Sequence, residues 1–171
     1  WAGLELGTTS PESVVAEISA DADWTDEQRA QFWPSMSHVT WAFPGVKASG
    51  GKPFEVEWCD GYGDVCNRRE PKFYPPAFLR DLAAKTPMGD LPPQGRVVEG
   101  SEGWLFSTHY GVAPCFLLKG GKKAPLAPRV GAAESHWREF VTACLTGGET
   151  ASSFAWTTHL TEMGLMGNAA Q

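Results

Sequence analysis

Two short runs of strict alternation constrain this chain more than anything else in it. In Ser37-His-Val-Thr-Trp-Ala-Phe43 the residues Val39, Trp41 and Phe43 take every second position, with His38, Thr40 and Ala42 between them, before Pro44-Gly45 ends the run. Successive side chains of an extended strand point to opposite faces, so this period puts the three large residues on one side. Phe54-Glu-Val-Glu-Trp58 repeats the pattern, with Phe54, Val56 and Trp58 together and Glu55 and Glu57 opposite. The Gly-, Lys- and Pro-containing link between the runs is short enough for a hairpin, which predicts two adjacent antiparallel strands. The glutamate face is either solvated, the usual state of such sheets, or turned toward a polar cleft.

Weaker alternation and β-branched residues mark four further strands: Ser13-Val-Val-Ala-Glu-Ile-Ser19, Arg96-Val-Val98, Gly103-Trp-Leu-Phe-Ser-Thr-His109 and Cys115-Phe-Leu-Leu118. The fold class expected is α+β, an open, mainly antiparallel sheet of about six strands with helices packed on one face. Thr25-Asp-Glu-Gln28 reads as a capped helical turn. Phe78-Leu-Arg-Asp-Leu-Ala-Ala84 is a short amphipathic helix within a long excursion over residues 60–94, bracketed by Pro75-Pro76 and Pro92-Pro93.

Two helices close the chain. In the first, Trp137, Phe140, Val141, Cys144 and Leu145 fall at i, i+3, i+4, i+7 and i+8, with Gly147-Gly148 as the stop. It is expected to cover a sheet face, with Cys144 as a buried thiol. The second, about residues 156–170, carries Leu160, Met163 and Met166 beside Gly164 and Gly167. Glycines lower helix propensity and are tolerated best where another backbone comes close, so this helix suits an interface. At the other end, Trp1-Ala-Gly-Leu-Glu-Leu-Gly7 reads as the last turns of a helix capped by Gly7.

With 171 residues, 42% of them hydrophobic and 20% charged, the chain fits one globular unit. A formal net charge of -6, with no dense Lys/Arg cluster, gives no attraction for a nucleic-acid backbone. No apolar run reaches the roughly 18 to 20 residues that span a bilayer, so no membrane partner is expected. Cys59, Cys66, Cys115 and Cys144 form no C-x-x-C, and no histidine stands at ligand spacing from them, so no metal site is expected.

Five segments, taken in order, resemble the bacterial branch of the Gfo/Idh/MocA oxidoreductases. They are Trp33-Pro-Ser-Met-Ser-His-Val-Thr-Trp-Ala-Phe-Pro44, Phe54-Glu-Val-Glu-Trp-Cys-Asp-Gly61, Gly100-Ser-Glu-Gly-Trp-Leu105 with Tyr110-Gly111, His136-Trp-Arg-Glu-Phe-Val-Thr-Ala-Cys144, and Leu160-Thr-Glu-Met-Gly-Leu-Met-Gly-Asn168. The resemblance covers essentially the whole chain. It implies a two-domain parent in which a Rossmann domain binds NAD or NADP and an open sheet forms the floor of the substrate site and the subunit contact. On that reading residues 1–171 are the single C-terminal domain, and the N-terminal Rossmann domain is its missing partner.

No strand, G-x-G-x-x-G and helix constellation occurs in the chain, so no cofactor is expected to bind it. The family's Glu-Lys-Pro motif and its catalytic Asp and His are also missing, and no catalytic residue is carried over. The resemblance implies hydride transfer between a sugar-like or polyol substrate and a nicotinamide, with this part orienting the substrate. Four residues are candidates for holding the substrate. Tyr110 and His109, at a strand end before a Gly-x-x-Pro turn, present a hydroxyl and an imidazole to the substrate, or the tyrosine closes a core. Asp60 binds sugar hydroxyls or starts an Asx-turn with Gly61. Arg129 binds an acidic sugar group or pairs with a surface carboxylate.

His159 and Glu162, three apart on the last helix, are placed by the resemblance at the interface with the cofactor domain, together with Gly164 and Gly167. His136 and Glu139, at the start of the preceding helix, match the family's His-x-x-Glu and are expected to stabilise that helix start. Assembly into a homo-oligomer through the sheet is expected. A free-standing carbohydrate-binding or scaffold module without redox activity is the competing expectation.

Overall fold

The computed structural model describes residues 9–19, 25–31, 34, 36–61, 71–109, 114–124 and 135–171. In chain order the elements are β1 (Ser13–Ile18), α1 (Asp26–Gln31), β2 (Met36–Phe43), β3 (Phe54–Gly61), α2 (Ala77–Ala83), β4 (Gly95–Glu99), β5 (Gly103–Thr108), β6 (Cys115–Leu118), β7 (Lys123–Ala124), α3 (His136–Thr146) and α4 (Phe154–Ala170), with 3-10 turns at Lys47–Ser49 and Pro71–Phe73. The chain divides into two compact units, Trp1–Tyr74 with Glu134–Gln171, and Pro75–Ala133.

In the first unit β1, β2 and β3 form an antiparallel sheet with β2 in the centre. The register sets Ala16, Val39 and Trp58 in one row and Val14, Trp41 and Val56 in the next, so the alternation in each strand lands on a common face. Val39, Trp41 and Phe43 are the buried core of that face, and the rings of Phe43 and Phe54 stack 5.2 Å apart at its end. Gly50 and Gly51, at φ of 65° and 77°, let the link between β2 and β3 turn back through backbone geometry that other residues rarely adopt. The expected cap of α1 is present. Thr25 Oγ1 accepts from the Gln28 N–H at 3.2 Å, and Gln28 Oε1 accepts from the Thr25 N–H at 2.8 Å.

The helix that closes this face is α4, packed on β1 and β2 through Leu160 and Met163. Trp41 donates its indole N–H to the Met163 carbonyl at 2.9 Å. Gly167 lies against the Trp41 ring, where a Cβ would overlap Cζ2. This corrects the expectation for α3, none of whose residues is buried. Trp137 and Leu145 are 83% and 82% exposed, and Cys144, expected to be buried, is exposed as well. Periodicity shows that a helix has an apolar side, but not which surface that side meets. Here the face of β2 is taken by α4, whose glycine accommodates the protruding Trp41. The boundaries expected for α3 hold, with Gly147 at φ 67° as its left-handed cap.

In the second unit β4, β5, β6 and β7 form an antiparallel sheet in that order. Phe106 and Leu117 are buried with Ala83 of α2, and Leu82, Met88, Leu91 and Val97 pack around them. The two-residue β7 was beyond the reach of alternation, which needs at least four residues to register.

The described strands thus pair in two antiparallel sheets, of three and of four strands, where the alternation predicts a single layer of about six. The α+β class and the antiparallel pairing agree with that expectation. Alternation identifies an extended segment and its apolar side, whereas the neighbour a strand takes is decided by turns and cross-strand contacts. The expected helix tail at residues 1–7 lies outside the described residues.

Candidate functional site

Of the four residues expected to hold a substrate, Tyr110 and Arg129 lie outside the described residues. Asp60 sits within β3, which runs on to Gly61, and is exposed as the register partner of Ser37. That leaves its carboxylate on the core-side face of the sheet at its open end, beside a Ser37 hydroxyl that accepts from Gln171 Nε2 at 3.2 Å. His109 follows β5 and is exposed. Its N–H donates to the Gln94 carbonyl at 3.1 Å, and its carbonyl accepts from Arg96 Nη2 at 2.7 Å, which fixes the backbone at the strand end. Asp60 belongs to the first unit and His109 to the second.

The four residues expected at an interface separate into two groups. His159 Nδ1 and Glu162 Oε2 form the expected pair at 3.4 Å on α4. A Cβ at Gly164 would meet nothing within 4 Å, so that glycine faces open space, whereas Gly167 is buried against Trp41 inside the unit. Glu139 caps the chain after α3 rather than the helix start, its carboxylate accepting from the Ala151 N–H.

Sequence reasoning missed how little of α4 is polar. Among its 17 residues, His159 and Glu162 are the only titratable side chains. While Leu160, Met163 and Gly167 face the sheet, Phe154 and Leu165 are 91% and 61% exposed. The hydroxyls of Thr157, Thr158 and Thr161 bond to carbonyls one turn back, so this side of the helix presents methyl groups. An open hollow of about 590 Å³ runs along it, lined by Phe154, Thr158, Thr161, Leu165 and Met166, with the carboxylate-bearing Glu162 among them. A helix apolar on both sides ordinarily sits between two surfaces. The open side of α3, where Trp137, Phe140, Val141 and Leu145 are exposed, is a second apolar surface of the first unit.

The opposite face of the three-stranded sheet is polar, and it carries a cluster that sequence reading anticipated only through Glu55 and Glu57. Glu17, His38 and Cys59 form one cross-strand row. His38 Nε2 lies 3.2 Å from Glu57 Oε2, and its Nδ1 lies 2.9 Å from the carbonyl oxygen of Lys72. The Lys72 ammonium pairs with Glu17 at 3.5 Å. Burial, helped by the negative charge of Glu57, pushes the Cys59 thiol from 9.0 up to about 11, so at neutral pH it is uncharged and a poor nucleophile. The signal was available in the alternation, which sets His38 and Glu57 on one face, but the 3-10 turn bringing Lys72 over them has no sequence signature.

Among the described residues no group of three or more His, Cys, Asp or Glu side chains is arranged to hold a metal ion. No helix among them is long and apolar enough to cross a membrane. Comparison with protein-family models and with curated proteins gives no match.

Proposed function

We propose that this chain is the substrate-binding and oligomerisation domain of an NAD(P)-dependent oxidoreductase of the Gfo/Idh/MocA type acting on a sugar or polyol. The observation that carries the proposal is the apolar side chains of α3 and α4 left open to solvent, which fit a domain that works against further protein surface. The five segments that resemble the family supply the identity of that surface: a Rossmann domain of the same protein, and further copies of the chain. In this reading Gly164, His159 and Glu162 lie on the part of α4 that meets the cofactor domain. Gly167 is left out of that interface, since Trp41 fills its space.

His109, Tyr110 and Arg129, all of the second unit, are proposed to orient the polyol by accepting from and donating to its hydroxyls, and Asp60, of the first unit, is proposed separately as an acceptor for a polyol hydroxyl. The nicotinamide, held by the other domain, supplies the redox chemistry. No residue of this chain is assigned a proton or hydride step.

The test is a dehydrogenase assay on the protein encoded by the whole reading frame, across a series of polyols and aldoses with NAD and NADP. Reduced nucleotide should form, and Asp60→Asn and Tyr110→Phe should each raise KM about tenfold, the loss of one or two hydrogen bonds to substrate. A reading frame without a glycine-rich nucleotide fingerprint, together with sugar binding by the isolated chain, would instead establish a carbohydrate-binding module.

A further inference from the structure

His38 stands between two hydrogen-bond acceptors. On one side is the carboxylate of Glu57 in β3, and on the other the backbone carbonyl of Lys72 in the Pro71–Phe73 turn. A neutral imidazole has one N–H and one lone pair, so it satisfies one acceptor and turns its lone pair on the other. Only the imidazolium, with two N–H groups, donates to both. We propose that His38 is a proton-controlled latch, which as an imidazolium ties the Pro71–Phe73 turn to the sheet and on losing its proton releases it.

Charged and titratable groups face the ring from both neighbouring strands and from the turn. From β1, Glu17 is the register partner of His38, and from β3, Glu57 contacts the ring while Cys59 is the partner on the other side. From the turn, Lys72 directs its ammonium to Glu17 at 3.5 Å, so it offsets that carboxylate and leaves Glu57 to the ring. The Cys59 thiol, raised to about 11, adds no charge. The imidazole side chain is 21% exposed, which gives it access to bulk protons. What the latch holds is Phe73, 2% exposed, and the point where the chain returns to β2 after the end of β3. Of the side-chain types in this cluster, imidazole alone ordinarily changes charge between about pH 5 and 8.

The experiment is limited trypsin cleavage of the full chain after Lys72, identified by mass spectrometry. Each rate is divided by that of an unstructured Lys-Phe peptide at the same pH, so the protease's own pH dependence cancels. Cleavage needs the turn to leave the sheet. Between about pH 5.5 and 8.5 the normalised rate of the wild type should rise about tenfold, the weight of one charge-assisted hydrogen bond. In Glu57→Gln the new amide donates to Nε2 of the neutral ring, Nδ1–H still reaches the Lys72 carbonyl, and the rate should change less than about twofold. His38→Ala should be cut fast at both pH values. A wild-type rate that does not rise with pH, or a Glu57→Gln rate that climbs as steeply as the wild type, would overturn the proposal.

Discussion

Trp41 ties β2 to α4 twice over, its indole N–H donating to the Met163 carbonyl and its ring filling the space above Gly167. A Cβ at Gly167 would overlap Cζ2 and stand 3.2 Å from Cε2 of a ring already fixed by its hydrogen bond. Gly167→Ala should therefore destabilise the chain by about 1 to 2 kcal/mol, since overpacking costs more than the roughly 1 kcal/mol that alanine gains in helix propensity. Gly164→Ala, three residues away with nothing in reach of the new methyl, should stabilise it by about 0.5 to 1 kcal/mol. Denaturant unfolding of the two variants measures the contrast, and two shifts of the same sign would refute the packing of α4 described above.

Cys59 and Cys144 should behave as opposites. Iodoacetamide at pH 8 should modify the exposed Cys144 at least about tenfold faster than Cys59, whose thiol is held protonated. The same shift has a stability consequence of definite sign. Because the folded-state value is above 9.0, the folded chain keeps the Cys59 proton where the unfolded chain loses it. Its contribution is fully present below pH 9 and is lost as pH rises through about 11. The wild type should lose on the order of 2 kcal/mol over that window relative to Cys59→Ser, read from unfolding curves taken at successive pH values.

The open side of α3 gives a third expectation. If Trp137 and Leu145 contribute to an interface and not to the core, replacing both by Ser and Gln should leave the unfolding free energy within about 0.5 kcal/mol. It should also reduce concentration-dependent association seen by sedimentation. A loss of several kcal/mol would place these side chains in the core and overturn the assignment.

Much of the fold was legible because it rests on local rules. The alternation of Val39, Trp41 and Phe43 fixed β2 and its buried face, Thr25 and Gln28 formed the cap their spacing implies, and Gly147 ended α3. What was not legible depends on partners distant in the chain. The period of α3 gave its apolar side but could not say that α4, 17 residues long and glycine-notched, would take the sheet. Asp60 could be read as a sugar ligand or as the start of an Asx-turn, but its pairing with Ser37, which carries β3 through it, depends on a strand more than 20 residues away. The polar cluster around His38 needs a turn 34 residues away in sequence, which no spacing rule reaches.

The central proposal is that this chain serves a nicotinamide-dependent oxidoreductase without a nucleotide site of its own. Isothermal titration of NAD, NADH, NADP and NADPH into the isolated chain tests it most directly. The account predicts no saturable heat at nucleotide concentrations up to about 1 mM, in keeping with a sequence that lacks the glycine-rich turn between strand and helix. Binding of any of the four at micromolar strength would contradict it.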